Sequence, residues 1–325
     1  MAGLASLDDA STLETRAGTR AEGRLGPRSR WWSPGTRKAL VPYGLTGPAV
    51  VVIVVVALAP AVYGVWLSFT NWQFLQSTTA HFEGLAAYRT IFHSAEFWSD
   101  LGHTWFWTGG TLVIEVGVGL PLGLLLSRPT RVSGIATSFL LLPWITPFVV
   151  VSYSWLYLLG AGGPVHSLLQ ALGIVGAATP LASTTLALPA LTVISGWKGL
   201  PFMTIALLAN RRSIDNGLYE AAEVDGARMF QRFRYITLPL MRNTIIVMSV
   251  VLGVLAFYSF DLVWLLTQGG PGTSSELTGV MIYSQFFLNG APGIAAAIGV
   301  SMFVMLIIVS SGILALTRVN SREGR

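Results

Sequence analysis

The chain has 325 residues, of which 53% are hydrophobic and only 11% charged, where a soluble domain carries about 25% charged residues; mean hydropathy is +0.63. So little charge cannot cover a globular surface in water, which excludes an ordinary soluble domain and points to lipid as the solvent. The net charge of +5 would suit a nucleic-acid partner, but its distribution along the chain excludes that reading below, and the lack of cysteine removes disulfide and thiolate chemistry.

Residues 1–38 are polar, rich in Ser, Thr, Gly and Arg and without periodicity, which predicts a disordered tail. Its arginines could touch anionic lipid, but a solvated tail is the favoured reading. A membrane domain then occupies 39–317, followed by a short polar tail over 318–325. Six stretches within that domain reach the ~20 apolar residues that cross a hydrocarbon core: 45–69, 101–126, 132–159, 184–209, 241–267 and 292–316. Only helices or closed barrels satisfy the backbone in lipid, and segments of this length and near-continuous apolarity are helices. Trp66, Trp72, Trp98, Trp105 and Trp107 cluster near span ends and read as an interfacial belt. The four histidines, His81, His93, His103 and His166, have no metal-ligand spacing, so no metal site is expected.

Ionisable residues inside spans are expensive unless paired or facing a cavity. Glu115 in the second span and Lys198 in the fourth lie equally far along their helices from Leu101 and Thr184, so both fall at similar depth. They read either as an ion pair or as polar groups facing a transported solute. Trp144 and Tyr153 in the third span, Trp197 in the fourth and Tyr258 in the fifth are candidates for stacking on a sugar ring; ordinary packing is the competing role. Asp261, near the far end of the fifth span, reads as a capping or gating residue beside the turn Gly269-Gly270-Pro271.

Between the fourth and fifth spans, residues 211–240 form a polar loop with a long motif, E-A-A-x3-G-x9-I-x-L-P. It is carried by Glu220, Ala221, Ala222, Gly226, Ile236, Leu238 and Pro239, with Asp225 just before the glycine. The pattern predicts two short helices joined at Gly226, where the chain bends without a Cβ penalty. Asp215 is placed to cap the first. Its alanines permit close seating in a protein groove, and Glu220 is available to a cation there. Met229, Phe233 and Ile236 form an apolar stripe on the second, and Pro239 stands where a helix start tolerates it. The stripe alone also fits an amphipathic helix resting on lipid headgroups.

Charge placement fixes the orientation. Of the 20 Lys and Arg residues, only Arg89 falls in a loop on the opposite side from the 211–240 loop; Lys198 lies deep within a span and Arg242 at the loop-side edge of the fifth. The positive-inside rule then puts both termini and that loop in the cytoplasm. A phosphate-binding loop of the type G-x4-G-K-[ST] is missing, because the chain's two lysines, Lys38 and Lys198, are followed by Ala39 and Gly199.

The motif in 211–240 resembles the cytoplasmic signature loop of ABC importer permeases, and the resemblance extends over nearly the whole chain from Pro42 onward to the carbohydrate-type group that includes maltose and glycerol-3-phosphate permeases. Other landmarks follow in the same order: PAVYGVWLSFTNW at 60–72; Phe82, Gly84, Leu85 and Tyr88; Leu142-Pro143-Trp144 with Pro147; WKGLPF at 197–202; Phe260-Asp261-Leu262; and TQGGP at 267–271. Departures are small: Ala87 replaces the usual Asn, Asn210 and Asn216 stand where Gly and a charged or polar residue are usual, and Asn243 replaces a common proline. The resemblance implies an all-α integral membrane protein with six transmembrane helices in the type I ABC importer permease fold. It also implies a second permease, two ATPase subunits that bind ATP and Mg, and an extracytoplasmic binding protein that delivers a sugar or sugar derivative. By the same resemblance, Glu220, Ala221, Ala222, Asp225, Gly226, Ile236, Leu238 and Pro239 couple the permease to its ATPases, and the chain itself performs no covalent chemistry. The competing class is a secondary transporter or channel that needs no ATPase, but six spans without an internal repeat are few for that class.

Overall fold

A computed structural model describes residues 46–74, 79–128 and 130–322; the expected tail over 1–38 lies outside the described residues. Two compact units divide the chain, Met1–Pro60 and Ala61–Arg325. Helix is the dominant structure among the described residues, and Thr70 and Phe82 make an isolated antiparallel bridge. Five helices are long and apolar enough to cross a membrane, and a sixth crossing is available from a helix pair bent at a short break.

The first long helix, α1 (Thr46–Leu67), contains a widened π-turn at Val54–Leu58 in which the Ala59 amide bonds back to Val54. Pro60 follows. A proline lacks the amide that would bond four residues back and crowds that carbonyl, and the extra residue in the preceding turn is a common accommodation. Beyond α1, Phe82 stacks on Phe69 and Tyr88 bonds Ser68 at 2.6 Å, so the Phe82–Tyr88 stretch fastens α2 (Ala86–His93) to the segment after α1.

Two helices form the frame, α3 (Ala95–Leu126) and α7 (Ala187–Ser213). They pack more extensively than any other pair. Small residues let them approach closely: a Cβ on Gly123 would meet the Thr204 carbonyl at 3.1 Å and the Leu208 amide at 3.2 Å, and one on Gly119 would meet Met203 at 3.0 Å. The Gly119-x3-Gly123 spacing is the small-residue stripe by which membrane helices seat against each other. Met203 and Leu207 on α7 then pack with Met241 and Leu252 of α9 (Met229–Phe257).

The expected third span is broken. In place of one helix over 132–159 the chain forms α4 (Arg131–Ile145) and α5 (Phe148–Leu159), bent by 96°. Pro147 is the cause: a proline pushes the residue before it into extended conformation, and Thr146 has ψ 127°. A short helix α6 (Pro164–Ala171) follows. The expected fifth span also differs at both ends. α9 begins at Met229, well before residue 241, and stops at Phe257. After a break at Tyr258–Phe260 the chain resumes as α10 (Asp261–Leu266). No proline or glycine sits at this break. Tertiary contact holds it: the Ser259 carbonyl lies so close to Gly279 that a Cβ there would approach it to 2.6 Å.

Between α10 and the last helix lies an element not expected from sequence, α11 (Thr278–Leu288). The last helix, α12 (Pro292–Arg322), continues past residue 317. Of the tryptophans read as an interfacial belt, Trp107 departs from it. It is fully buried among Leu188, Leu191 and Leu262 and donates its indole N–H to the Ala256 carbonyl at 3.2 Å. The polar handle of a buried Trp is thus satisfied inside the bundle.

Candidate functional site

Two places concentrate the sequence-derived candidates. The first is an open, mostly apolar cleft of ≈ 180 Å³ between α3, α4–α5, α7 and the α9–α10 break. Glu115 and Lys198 both line it, with Trp144, Phe148, Phe202, Thr111, Ser195 and Ser259. The break in the third span brings Trp144 and Phe148 here: each stands within two residues of it, on opposite halves.

Glu115 and Lys198 share the cleft without forming the ion pair that their equal depth allowed; the two charge pairs among the described residues lie elsewhere. Lys198 Nζ instead donates to the carbonyls of Pro143 at 3.0 Å and Thr146 at 2.7 Å and lies 4.5 Å from the Phe148 ring centre. These carbonyls end α4, where helix carbonyls lack intrahelical donors, and a cation is the favoured partner there. Lys198 therefore pins the two halves of the broken span. Glu115 is only 3% exposed, and its Oε2 has no hydrogen-bond partner. Gly199 makes room for it, since a Cβ there would collide with Glu115 Oε1.

Of the four aromatic candidates, Trp144 alone lines the cleft, with Phe202 edge-on at 4.8 Å between ring centres. Trp197 turns away to meet Trp155 edge-on at 5.7 Å, Tyr258 packs against Phe257, and Tyr153 is exposed outside the cleft. Sequence reasoning missed Phe148, Phe202, Ser195 and Ser259. The usable signal was the Pro143–Pro147 pair, which brackets the break.

The second place is 211–240. α7 ends at Ser213, the Asp215 carboxylate accepts the Gly217 amide at 2.9 Å, and α8 (Asn216–Val224) begins. Gly226 has φ +77°, a conformation that glycine adopts freely. The Gln231 side chain accepts the Arg228 amide at 2.7 Å at the start of α9. The bend is tied across by Arg232 and Glu223 at 2.7 Å. Tyr219 anchors α8 inward: its hydroxyl bonds Thr237 at 3.0 Å and the Arg211 guanidinium lies 4.0 Å from its ring centre. A π-turn at Phe233–Thr237, closed by the Leu238 amide on the Phe233 carbonyl, precedes Pro239, repeating the device seen before Pro60. Glu220, Ala221, Asp225, Gly226 and Pro239 are exposed; Ala222, Ile236 and Leu238 are half-buried. Leu218, Val224, Met229, Phe230 and Tyr235 add exposed apolar surface.

At the other end of the bundle, Asp261 opens α10 as its first residue, where a carboxylate suits the helix dipole. The N-cap position is taken by Phe260, whose side chain makes no capping hydrogen bond, so Asp261 is not the N-cap expected of it. The Gly269-Gly270-Pro271 turn is closed by Ser275, whose hydroxyl donates to the Gly270 carbonyl at 2.6 Å and whose amide donates to the Gly269 carbonyl at 3.0 Å. Gly269 has φ +88° and lies against Glu276. Burial, followed by the charge of Glu96, pushes the Glu276 carboxyl above the usual glutamate range. The ring Nδ1 of His103 lies 3.1 Å from the Glu276 carbonyl, tying this loop to α3.

Residues 116–318 match the family described as binding-protein-dependent transport system inner membrane component. The chain is 30% identical to the trehalose/maltose transport system permease protein MalF of Thermococcus litoralis over 83% of its length and 91% of that protein. It is also 30% identical to the sulfoquinovosyl glycerol transport system permease protein SmoG of Agrobacterium fabrum, over 94% and 99% of the two chains. A chain of a bacterial ABC transporter involved in the import of alginate has the same fold, with TM-score 0.75 at 22% identity, covering 87% of this chain and 97% of that one. The chain belongs to the family of binding-protein-dependent transport system inner membrane components and is the permease subunit of an ABC importer.

Proposed function

We infer that this permease imports a sugar or sugar derivative, passing it across the membrane past the Glu115–Lys198 cleft while the 211–240 loop receives work from ATPase subunits. The observation that carries the coupling role is the shape of that loop: a short helix, bent at Gly226, is anchored inward by Tyr219 and presents Glu220 and an apolar rim outward. Exposed apolar surface rimmed by polar residues marks an interaction site. The sugar reading is supported by relatives named for trehalose/maltose and sulfoquinovosyl glycerol transport. It is supported too by the cleft's mix of aromatic faces and hydroxyls, the usual lining of a sugar site.

The complete transporter pairs this chain with a second permease, two ATPase subunits holding ATP and Mg, and an extracytoplasmic binding protein. An open cleft of ≈ 180 Å³ is smaller than the roughly 300–1,000 Å³ of a small-molecule site, as expected for half of a site completed by the second permease. Both termini and the 211–240 loop face the cytoplasm, in line with the charge distribution. The Gly269–Pro271 turn and Asp261 then lie at the outer face, where they gate the path. Closure of the ATPases on ATP moves the 220–239 element, and the spans rock between inward and outward access.

Gentle-detergent copurification from the native host, with mass spectrometry of every partner, tests this. Recovery of an ATPase, a second permease and a binding protein is the expected result. Isolation of the chain alone, under conditions that preserve other membrane complexes, contradicts it.

A further inference from the structure

We propose that the cleft is built for neutral, hydroxyl-rich saccharides and refuses anionic ones such as uronates and sulfonated or phosphorylated sugars; this rests on the reading of the cleft as part of the sugar path. The cleft lining holds one cation and one carboxylate among the described residues, Lys198 and Glu115. Lys198 would be the natural partner of an anionic sugar, but its ammonium is already committed. Two of its three protons go to the Pro143 and Thr146 carbonyls, and the Phe148 ring covers it at 4.5 Å. Withdrawing it would leave two part-buried carbonyls at the end of α4 without donors at the break, at a cost in lost hydrogen bonds.

Glu115 is in the opposite condition. It is held at the cleft wall, almost wholly buried, with Oε2 lacking any partner, and the chain gives up a side chain at Gly199 to accommodate it. A buried carboxyl with a missing partner gains from a hydroxyl, which pairs with it in either protonation state. A second anion brought beside it would be desolvated and, on this chain's side of the cleft, would meet only a lysine that already gives two of its three protons to carbonyls. The remaining polar groups, Thr111, Ser195 and Ser259, are hydroxyls that suit a polyol. Trp144 offers a largely exposed aromatic face beside them.

The test uses the complete transporter, reconstituted in proteoliposomes with its ATPases and binding protein. ATP-dependent uptake is measured for neutral disaccharides and for size-matched analogues carrying a uronate or sulfonate. The expected result is uptake of neutral saccharides alone, with Glu115→Gln raising the KM for them by up to about tenfold, the difference between a hydrogen bond to a charged group and one to a neutral amide. Copurification of that variant with its ATPases, at an unchanged melting temperature, shows that it folds and assembles. Uptake of the anionic analogues at rates comparable to the neutral ones overturns the proposal, whatever the variant does. Neutral-only uptake with an unchanged KM in Glu115→Gln overturns it as well, since the discrimination then arises outside this cleft. If the assembled, ATP-hydrolysing complex carries no saccharide of either kind, the sugar reading itself fails.

Discussion

At Lys198 a charge inside a membrane span is stabilised by the geometry of a neighbouring helix rather than by a counter-charge. Its two hydrogen bonds reach the end of α4 on one side of the 96° bend, and its contact with Phe148 reaches the first residue of α5 on the other. Replacing it by the similarly shaped Met removes the donors and leaves both part-buried carbonyls unpaired, at a cost for each below the roughly 1–3 kcal/mol of a fully buried group so stranded. We predict that Lys198→Met lowers the midpoint of thermal unfolding of the purified complex, and that Glu115→Gln does not. Equal loss in both would mean that the two residues act as a pair. Equal depth was legible in the sequence from the span boundaries, but the partner was not, because the carbonyls that claim Lys198 exist only once Pro147 has broken the third span. Glu276 gives a second residue-scale test. Its carboxyl is held above the usual range by burial, so the folded state keeps its proton longer than the unfolded state does. As pH rises through the ordinary glutamate range the unfolded state ionises first and stability falls; the loss is complete once the folded carboxyl has ionised too. Glu276→Gln is therefore predicted to flatten the decline in melting temperature across that window. An unchanged pH slope would contradict this.

Helix breaks and close helix contacts decide the element scale. Two π-turns precede Pro60 and Pro239, and an extended Thr146 precedes Pro147, so every one of these irregularities has a proline within two residues. Such breaks are readable in principle. The hydropathy of 132–159 conceals the bend because both halves remain apolar. The α9–α10 break at Tyr258–Phe260 was not readable at all, since its cause is the contact with Gly279 on α11. By contrast, the short helix α8, the cap at Asp215 and the turn at Gly226 followed directly from residue types: a carboxylate before a helix and a glycine after it. The second short helix expected there is instead the first turns of α9, which runs from Met229 to Phe257. Gly226 at φ +77° cannot be a proline, whose ring locks φ near −65°. Gly226→Pro should uncouple ATP hydrolysis from uptake while the chain still inserts. Normal uptake by that variant would refute the role of the bend. The Gly119-x3-Gly123 stripe makes a stronger demand. Gly123→Leu places a side chain where α7 backbone stands at 3.1–3.2 Å, and the predicted outcome is loss of folded protein after detergent extraction.

For the molecule as a whole, a frame of α3 and α7 carries the cleft near mid-span and continues at its Ser213 end into the exposed loop. Glu115 and Gly123 lie on one of these helices and Lys198 on the other, so the cleft and the loop end are joined through one tightly packed pair. The family was legible from the long motif because its spacing spans two helices and a bend. The cleft was only half legible, because aromatic residues are abundant in the spans and periodicity does not tell which face turns inward. Trp144 faces the cleft, whereas Trp197 turns away from it to Trp155. Substrate movement through this chain is proposed to be driven by ATP hydrolysis in subunits docked on the 211–240 loop. The most direct measurement is sugar uptake into proteoliposomes containing the full complex, with ATP on the ATPase side, compared for wild type and Glu220→Ala in the presence and absence of a protonophore. Uptake is expected to need ATP, to withstand the protonophore and to fall in Glu220→Ala together with ATPase retention. Uptake that proceeds without ATP and collapses with the protonophore would contradict it.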